Sequence, residues 1–183
     1  MNFVIDTMQP NDWEQVRQIY VEGLATGNSS FEQDAPTWER WDAAHHQHSR
    51  LVARYDGRVI AWAALSPTSQ RPCYAGVAEA SLYVATAARG KGVGKRIFEA
   101  LIESSERHRI WTLVGATFPE NAASIRLQLS CGFRIVGRRE RIAQHQGVWR
   151  DTVITERRSG TVGVEDSADE RRPEQCSSST STF

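Results

Sequence analysis

A basic, glycine-rich turn at residues 89–94, of sequence Arg-Gly-Lys-Gly-Val-Gly, has the residue types of an anion-binding loop. Glycine lets the backbone approach a ligand closely and turn its N–H groups toward it. The amphipathic run that follows, residues 95–108, predicts a helix, whose N-terminus offers further unpaired N–H donors and partial positive charge. A strand-like run, residues 79–84, precedes the turn. This strand–turn–helix order predicts a binding site for a diphosphate.

The spacing of the glycines excludes two common phosphate-binding loops. A P-loop needs a Gly-Lys pair followed by Ser or Thr, whereas Lys95 is followed by Arg96. A dinucleotide-binding turn needs Gly-x-Gly-x-x-Gly directly after a strand, with an acidic residue about 20 positions later. Here the spacing is Gly-x-Gly-x-Gly, and the next strand-like run meets no acid until Glu120. Neither an ATP site nor a Rossmann-type site is predicted.

Hydrophobic periodicity predicts the elements that hold this turn, in the order β-α-α-β-β-β-α-β-α-β-β. Asp56-Gly57 lies between two apolar runs, which is typical of a β-hairpin. We therefore expect one α+β domain over residues 1–158, with a twisted, mostly antiparallel mixed sheet flanked by helices. Residues 159–183 are rich in Ser, Glu, Asp and Arg, and we expect a disordered tail there.

Composition narrows the classes of partner. The 183 residues carry a formal net charge of zero, which does not favour a nucleic acid or a membrane surface as partner. No apolar run approaches the roughly 20 residues that span a bilayer, and the N-terminus lacks the features of a signal peptide. Cys73, Cys131 and Cys176 suggest neither a disulfide framework nor a zinc site. Three histidines within residues 45–48 lack a carboxylate or thiol to complete a metal site. A cytoplasmic protein without a metal is expected.

Five segments taken together resemble one protein family: residues 71–74, 78–84, 89–94, 121–133 and 147–151. In this order they make the chain similar to the GCN5-related N-acetyltransferases (GNAT), and more narrowly to their phosphinothricin and L-amino-acid N-acyltransferase branch. The turn matches the acetyl-coenzyme A loop of that family, R/Q-x-x-G-x-G/A. The resemblance implies the GNAT fold, in which the central strands splay apart, and acetyl-coenzyme A as the cosubstrate.

The resemblance also implies which residues contact the cosubstrate. Backbone groups of Leu82, Tyr83 and Val84 would pair with the two amides of the pantetheine arm, like an added strand. The glycine turn and the start of the helix after it would bind the pyrophosphate. The helix predicted after Glu120 would add contacts from Asn121 and Ser130. These further residues are Arg89, Gly90, Lys91, Gly92, Val93, Gly94, Lys95, Asn121 and Ser130.

For the acceptor, the resemblance implies a small amino acid or analogue of the phosphinothricin, methionine sulfoximine or methionine sulfone type, and a homodimeric enzyme. The amine would attack the thioester directly. An α-amine with a pKa near 8 costs only about 1.4 kcal/mol to neutralise at pH 7, so a modest base such as Glu79 suffices. The residues expected to face the acceptor are Phe31, Pro72, Cys73, Tyr74, Glu79 and Trp149.

Gln128 departs from the family pattern, because many members have Tyr there and this branch often has His. That position is the usual candidate acid for the leaving thiolate, and glutamine cannot donate a catalytic proton. A thiolate with a pKa near 8.5 can leave unprotonated, and Ser130 is an alternative donor. Two other functions stay open: an acetyl-coenzyme A-binding module without transferase activity, and an enzyme that acetylates peptide N-termini.

Overall fold

The side chains of a central strand point alternately into two helical layers. The computed structural model describes residues 2–164. In the strand Arg58–Pro67, Ala63 and Leu65 pack with one helix, while Trp62 packs with two others. This alternation follows from the period of two in a β-strand. Within the described range, no helix is both long and apolar enough to cross a membrane. The helices are α1 (Trp13–Leu24), α2 (Trp38–Ala44), α3 (Val93–Arg107) and α4 (Ala122–Ser130).

One seven-stranded sheet separates the two layers. The strands are β1 (Val4–Thr7), β2 (Leu51–Tyr55), β3 (Arg58–Pro67), β4 (Val77–Val84), β5 (Thr112–Thr117), β6 (Arg134–His145) and β7 (Val148–Arg158). Their spatial order is β1-β2-β3-β4-β5-β7-β6, and the pair β4–β5 is parallel while the others are antiparallel. The predicted α+β class with a mixed, mostly antiparallel sheet is confirmed.

The two central strands separate after a short contact. β4 and β5 pair only over Val77–Glu79, whereas β4 stays paired with β3 as far as Val84. β5 instead remains paired with β7 along its whole length, up to Thr117. The two halves of the sheet therefore diverge beyond Glu79 and leave a gap between them, as the predicted splayed strands require.

The chain remains packed just past the predicted domain boundary. Ser159 is 3% exposed, and its backbone N–H donates to the Trp111 carbonyl at 2.8 Å. Its hydroxyl donates to a carboxylate oxygen of Glu106 at 3.0 Å. Ser159 thus belongs to the folded domain rather than to the tail that was expected to begin there. Residues 165–183 lie outside the described residues, so the disorder of the tail stays a prediction.

Candidate active site

A cavity of about 740 Å³ occupies the gap between the diverging strands. Its walls come from β4, from the end of β5, from α4 and from the loop that follows α1. The glycine turn closes one end, and Glu79 lies where the two strands separate. Nine of the residues predicted from sequence line this cavity: Phe31, Glu79, Leu82, Tyr83, Val84, Arg89, Gly90, Gly94 and Asn121.

The glycine turn has the backbone geometry of an anion site. Gly90 and Gly92 have φ of 73° and 79°, values that favour glycine over residues with a side chain. Gly92 is the N-cap of α3, and no side chain caps that helix end. The first N–H groups of the helix are therefore left for a ligand. Lys91 and Lys95 are exposed or half-exposed beside the turn, whereas Val93 is buried and offers only its backbone.

The β4 edge that faces the gap carries backbone groups suited to the amides of a pantetheine arm. Ala85 donates its N–H to the Ile60 carbonyl at 2.9 Å, so Ala85 hydrogen-bonds toward β3. Because successive residues of a strand alternate in direction, Leu82 and Val84 present their N–H groups to the gap. Among residues 2–164, no strand pairs with this edge beyond Glu79. Tyr83 instead directs its backbone to β3, so only its side chain reaches the cavity.

Glu79 projects from β4 into the cavity at the point where the strands part. The Glu79 side chain is exposed at the cavity surface. The protein around it still excludes part of its water, and this desolvation raises the pKa of its carboxyl group. The positive charge of Arg139 opposes this rise. A raised pKa brings a carboxylate closer to the pH at which it accepts protons efficiently. Both its position and this shift are compatible with a general base, which stays a prediction for Glu79.

Two tyrosines form part of the cavity wall, and only Tyr83 was expected there. The rings of Tyr20 and Tyr83 lie 4.7 Å apart, and both side chains line the cavity. Burial raises the pKa of both phenols, so each stays protonated and can donate a hydrogen bond. Tyr20 shares the helical spacing of Val16 and Leu24, which indicates only a helix face that packs against the sheet. Nothing in the local sequence signals that this face borders the cavity.

The loop at residues 26–32 covers the cavity and is held by contacts that the sequence did not reveal. Arg150 donates to the Asn28 side-chain oxygen at 3.0 Å, and its guanidinium lies 4.2 Å from the Phe118 ring centroid. Asn121 donates to the Asn28 carbonyl at 3.1 Å. Asn121, predicted to contact the cosubstrate, therefore also fixes the loop. Arg150 belongs to segment 147–151, which carries part of the family resemblance, but the sequence does not indicate that its side chain holds this loop.

Several predicted residues do not reach the cavity. Pro72–Tyr74 forms an exposed 3-10 turn that includes Cys73. Trp149 is 56% exposed, and alternation along β7 places it on the face opposite the one that lines the cavity. Ser130 is exposed, and its hydroxyl donates to the Leu127 carbonyl at 2.8 Å. Roles for these residues in binding stay predictions.

Comparisons with known proteins agree with this geometry. A profile of the acetyltransferase (GNAT) family matches residues 13–133. Phosphinothricin N-acetyltransferase of Alcaligenes faecalis is 30% identical over 160 residues, which cover 84% of this chain and 81% of that one. The L-methionine sulfoximine/L-methionine sulfone acetyltransferase of Pseudomonas paraeruginosa is 35% identical over 121 residues, which cover 64% and 70% of the two chains.

A solved structure extends the likeness to the fold. The phosphinothricin acetyltransferase of Sinorhizobium meliloti, crystallised with acetyl-coenzyme A, superposes with a TM-score of 0.83 at 23% identity. The match covers 96% of this chain and 98% of that one. The open β4 edge, the glycine turn and the cavity of about 740 Å³ fit a long diphosphate cosubstrate with two amides. The chain belongs to the GNAT family of acetyltransferases, which use acetyl-coenzyme A as the acyl donor.

Proposed function

We propose that this protein acetylates the α-amine of a small amino acid or analogue, of the phosphinothricin, methionine sulfoximine or methionine sulfone type. The observation that carries the proposal is the placement of Glu79, which lines the cavity where the strands part, while the positive charge of Arg139 acts on its carboxyl group from the neighbouring hairpin. An α-amino acid also carries two opposite charges, one on its ammonium group and one on its carboxylate. The related enzymes named above add support for this substrate class.

The position of Arg139 follows from strand pairing. Arg139 on β6 lies opposite Thr152 on β7, and Thr152 lines the cavity. Residues directly opposite each other in an antiparallel pair share one face of the sheet. Arg139 therefore lies on the cavity face, where its charge acts on the Glu79 carboxylate. Within residues 2–164 it forms no ion pair, which leaves its guanidinium available to a substrate carboxylate.

The residues of the cavity divide the chemistry among them. Glu79 accepts the proton of the substrate ammonium, directly or through one water, and so supplies the neutral amine. Of the two N–H groups that face the gap, the Leu82 N–H is nearer along β4 to Glu79 and is the donor available to an oxyanion, which leaves the Val84 N–H for the pantetheine arm. The glycine turn would hold the diphosphate of acetyl-coenzyme A, which supplies the activated acetyl group. Both substrates then sit in one ternary complex, and no side chain has to carry the acetyl group.

A panel of amines tests the acceptor class. Purified protein would be incubated with acetyl-coenzyme A and each amine, and the release of free thiol would be followed. Turnover is expected with small amino acids and their sulfoximine, sulfone and phosphinate analogues, but not with peptides or lysine side chains. Turnover confined to peptides would instead identify an enzyme that acts on N-termini. Binding of acetyl-coenzyme A without turnover of any amine would identify a binding module.

Replacing Arg139 tests how the carboxylate is bound. Arg139→Gln is expected to raise KM for an amino acid about 10- to 100-fold, because a charge-assisted hydrogen bond of about 1.5–3 kcal/mol is lost. KM for an amine without a carboxylate should stay unchanged. The loss of the positive charge should also raise the pKa of Glu79, so the acid limb of the rate profile should move to higher pH. Steady-state kinetics across pH measures both effects.

Arg138 offers a matched control for this substitution. Arg138 lies opposite Val153 on the other face of the hairpin, and its Nε donates to an Asp151 carboxylate oxygen at 2.6 Å. Arg138→Gln should leave KM for the amino acid unchanged. An equal rise of KM in both variants, or no rise in Arg139→Gln, would rule out a carboxylate contact at Arg139.

We also propose that the protein is a cytoplasmic homodimer. The hairpin of β6 and β7 exposes large apolar side chains on both of its faces, and a second copy that covers one face would bury those on it. Sedimentation velocity at micromolar concentration is expected to give a single species of dimer mass, and Trp149→Glu is expected to shift it toward monomer. A wild-type monomer under these conditions would contradict the proposal. The exposed residues are Ile135, Val136, Ile142, Val148 and Trp149.

A further inference from the structure

A buried polar network lies on the side of the cavity formed by β5 and α4. Gln128 is only 7% exposed, and its side-chain Nε2 donates to the Thr117 hydroxyl and to the Ser124 hydroxyl, each at 3.1 Å. The Thr155 hydroxyl donates to Gln128 Oε1 from the other side. The amide of Gln128 is therefore fully used in joining three hydroxyl groups.

The direction of these hydrogen bonds determines where the hydroxyl protons point. The Thr155 hydroxyl is much closer to Gln128 Oε1 than to the Gly115 carbonyl, which lies 3.4 Å away, so its proton points to the amide oxygen. The amide nitrogen then gives its two protons to Thr117 and Ser124. Each of these hydroxyls accepts a hydrogen bond and keeps its own proton free for another acceptor.

Of the two, Ser124 is better placed to donate into the cavity. Both residues line the cavity, but Thr117 is only 7% exposed, whereas Ser124 is half-buried. Ser124 lies in the first turn of α4, where the helix dipole favours a negative charge nearby. The hydroxyl of Ser130, the donor considered from sequence, is instead occupied by the Leu127 carbonyl on the exposed side.

We propose that the Ser124 hydroxyl donates a hydrogen bond to the sulfur of coenzyme A as the thiolate leaves. The glycine turn lies at one end of the cavity and Glu79 at the other, so the reacting end of the cosubstrate belongs near the strand split. The Gln128 amide packs against Gly115, the residue after Val114, which pairs with Glu79 at the split. Its partners Thr117 and Ser124 both line the cavity. Gln128 then has a positioning role, since it orients the donor instead of supplying a proton.

The step balances without any further reactant. Glu79 first passes the ammonium proton to solvent and is again a carboxylate. The neutral amine nitrogen then forms a bond to the acetyl carbon, and Glu79 takes the second proton that the nitrogen loses. The C–S bond breaks, and its electron pair stays on sulfur as a thiolate. Ser124 stabilises that charge through its O–H and keeps its proton, so it needs no regeneration. The inference rests on the acetyl-coenzyme A dependence of the family and is independent of which amine is acetylated.

The pKa of the thiol of bound coenzyme A tests this inference without an acceptor. Coenzyme A would be bound to the protein and titrated, with the ultraviolet absorbance of the thiolate as the readout. In the wild-type protein the pKa of the bound thiol should lie below its value in free coenzyme A. Ser124→Ala should raise it by about one unit or more, because a hydrogen bond to the charged form is lost. Ser124→Thr keeps a hydroxyl and should preserve the wild-type value.

Folding and turnover complete the test. The Ser124 backbone N–H, not its side chain, donates to Asn121 Oδ1 at 3.2 Å, so Ser124→Ala keeps the start of α4. Calorimetry should accordingly show unchanged affinity for acetyl-coenzyme A, while kcat falls about 10-fold. Equal thiol pKa values in the wild type and Ser124→Ala would overturn the inference. A failure of the amine panel would reject the proposed acceptor but would leave this comparison of pKa values intact.

Discussion

Glu79→Gln is expected to lower kcat about 100- to 10,000-fold, the range that a positioned general base contributes. Glutamine keeps the shape of the side chain but cannot accept the proton of the attacking amine. Because burial raises the pKa of Glu79, the acid limb of the wild-type profile should lie above the usual glutamate range. Activity should rise as pH rises through that pKa, since the deprotonated form is active. The variant should lose this limb, as a rate profile across pH would show.

The same variant should still bind acetyl-coenzyme A with nearly unchanged affinity, which separates a catalytic defect from a folding defect. Glu103→Gln is a suitable control, because Glu103 is exposed on α3 and does not line the cavity. This control should retain wild-type rates. If Glu79→Gln keeps the wild-type dependence of rate on pH, Glu79 is not the base, whatever the size of the rate loss.

Gly92→Val is expected to abolish measurable binding of acetyl-coenzyme A. Gly92 has φ of 79° and is the N-cap of α3, so a branched side chain there strains the backbone and crowds the N–H groups of the anion site. The strain alone should cost about 1–2 kcal/mol of unfolding free energy. Isothermal titration calorimetry measures the binding, and denaturant unfolding measures the stability.

Gly57 allows the two effects of this substitution to be separated. It has φ of 74° in the β2–β3 hairpin, and like Gly92 it has no heavy atom within 4 Å of an added Cβ. Gly57→Val should therefore lose a similar amount of stability while binding acetyl-coenzyme A normally. Normal binding by Gly92→Val, or an equal loss of binding in both variants, would show that the turn does not form the diphosphate site.

Local sequence was a good guide wherever a short segment governs its own conformation. Asp56-Gly57 forms the predicted hairpin turn, with φ of 50° and 74°. The glycine turn before α3 likewise has the left-handed residues that its sequence suggests. For Pro72–Tyr74 the family resemblance, not the local sequence, implied a place at the acceptor. This turn is exposed and lies outside the cavity lining within the described chain, so its role stays a prediction.

By itself the sequence determined the order of helices and strands, the anion turn and the family, because these depend on neighbouring residues. Tertiary structure alone decided which distant side chains meet, such as Arg150 with Asn28 and Gln128 with Thr155. The reason is strand register: a shift of one residue sends every side chain of a strand to the other face. Register places Arg139 toward the cavity, and the split between β4 and β5 opens the cavity itself.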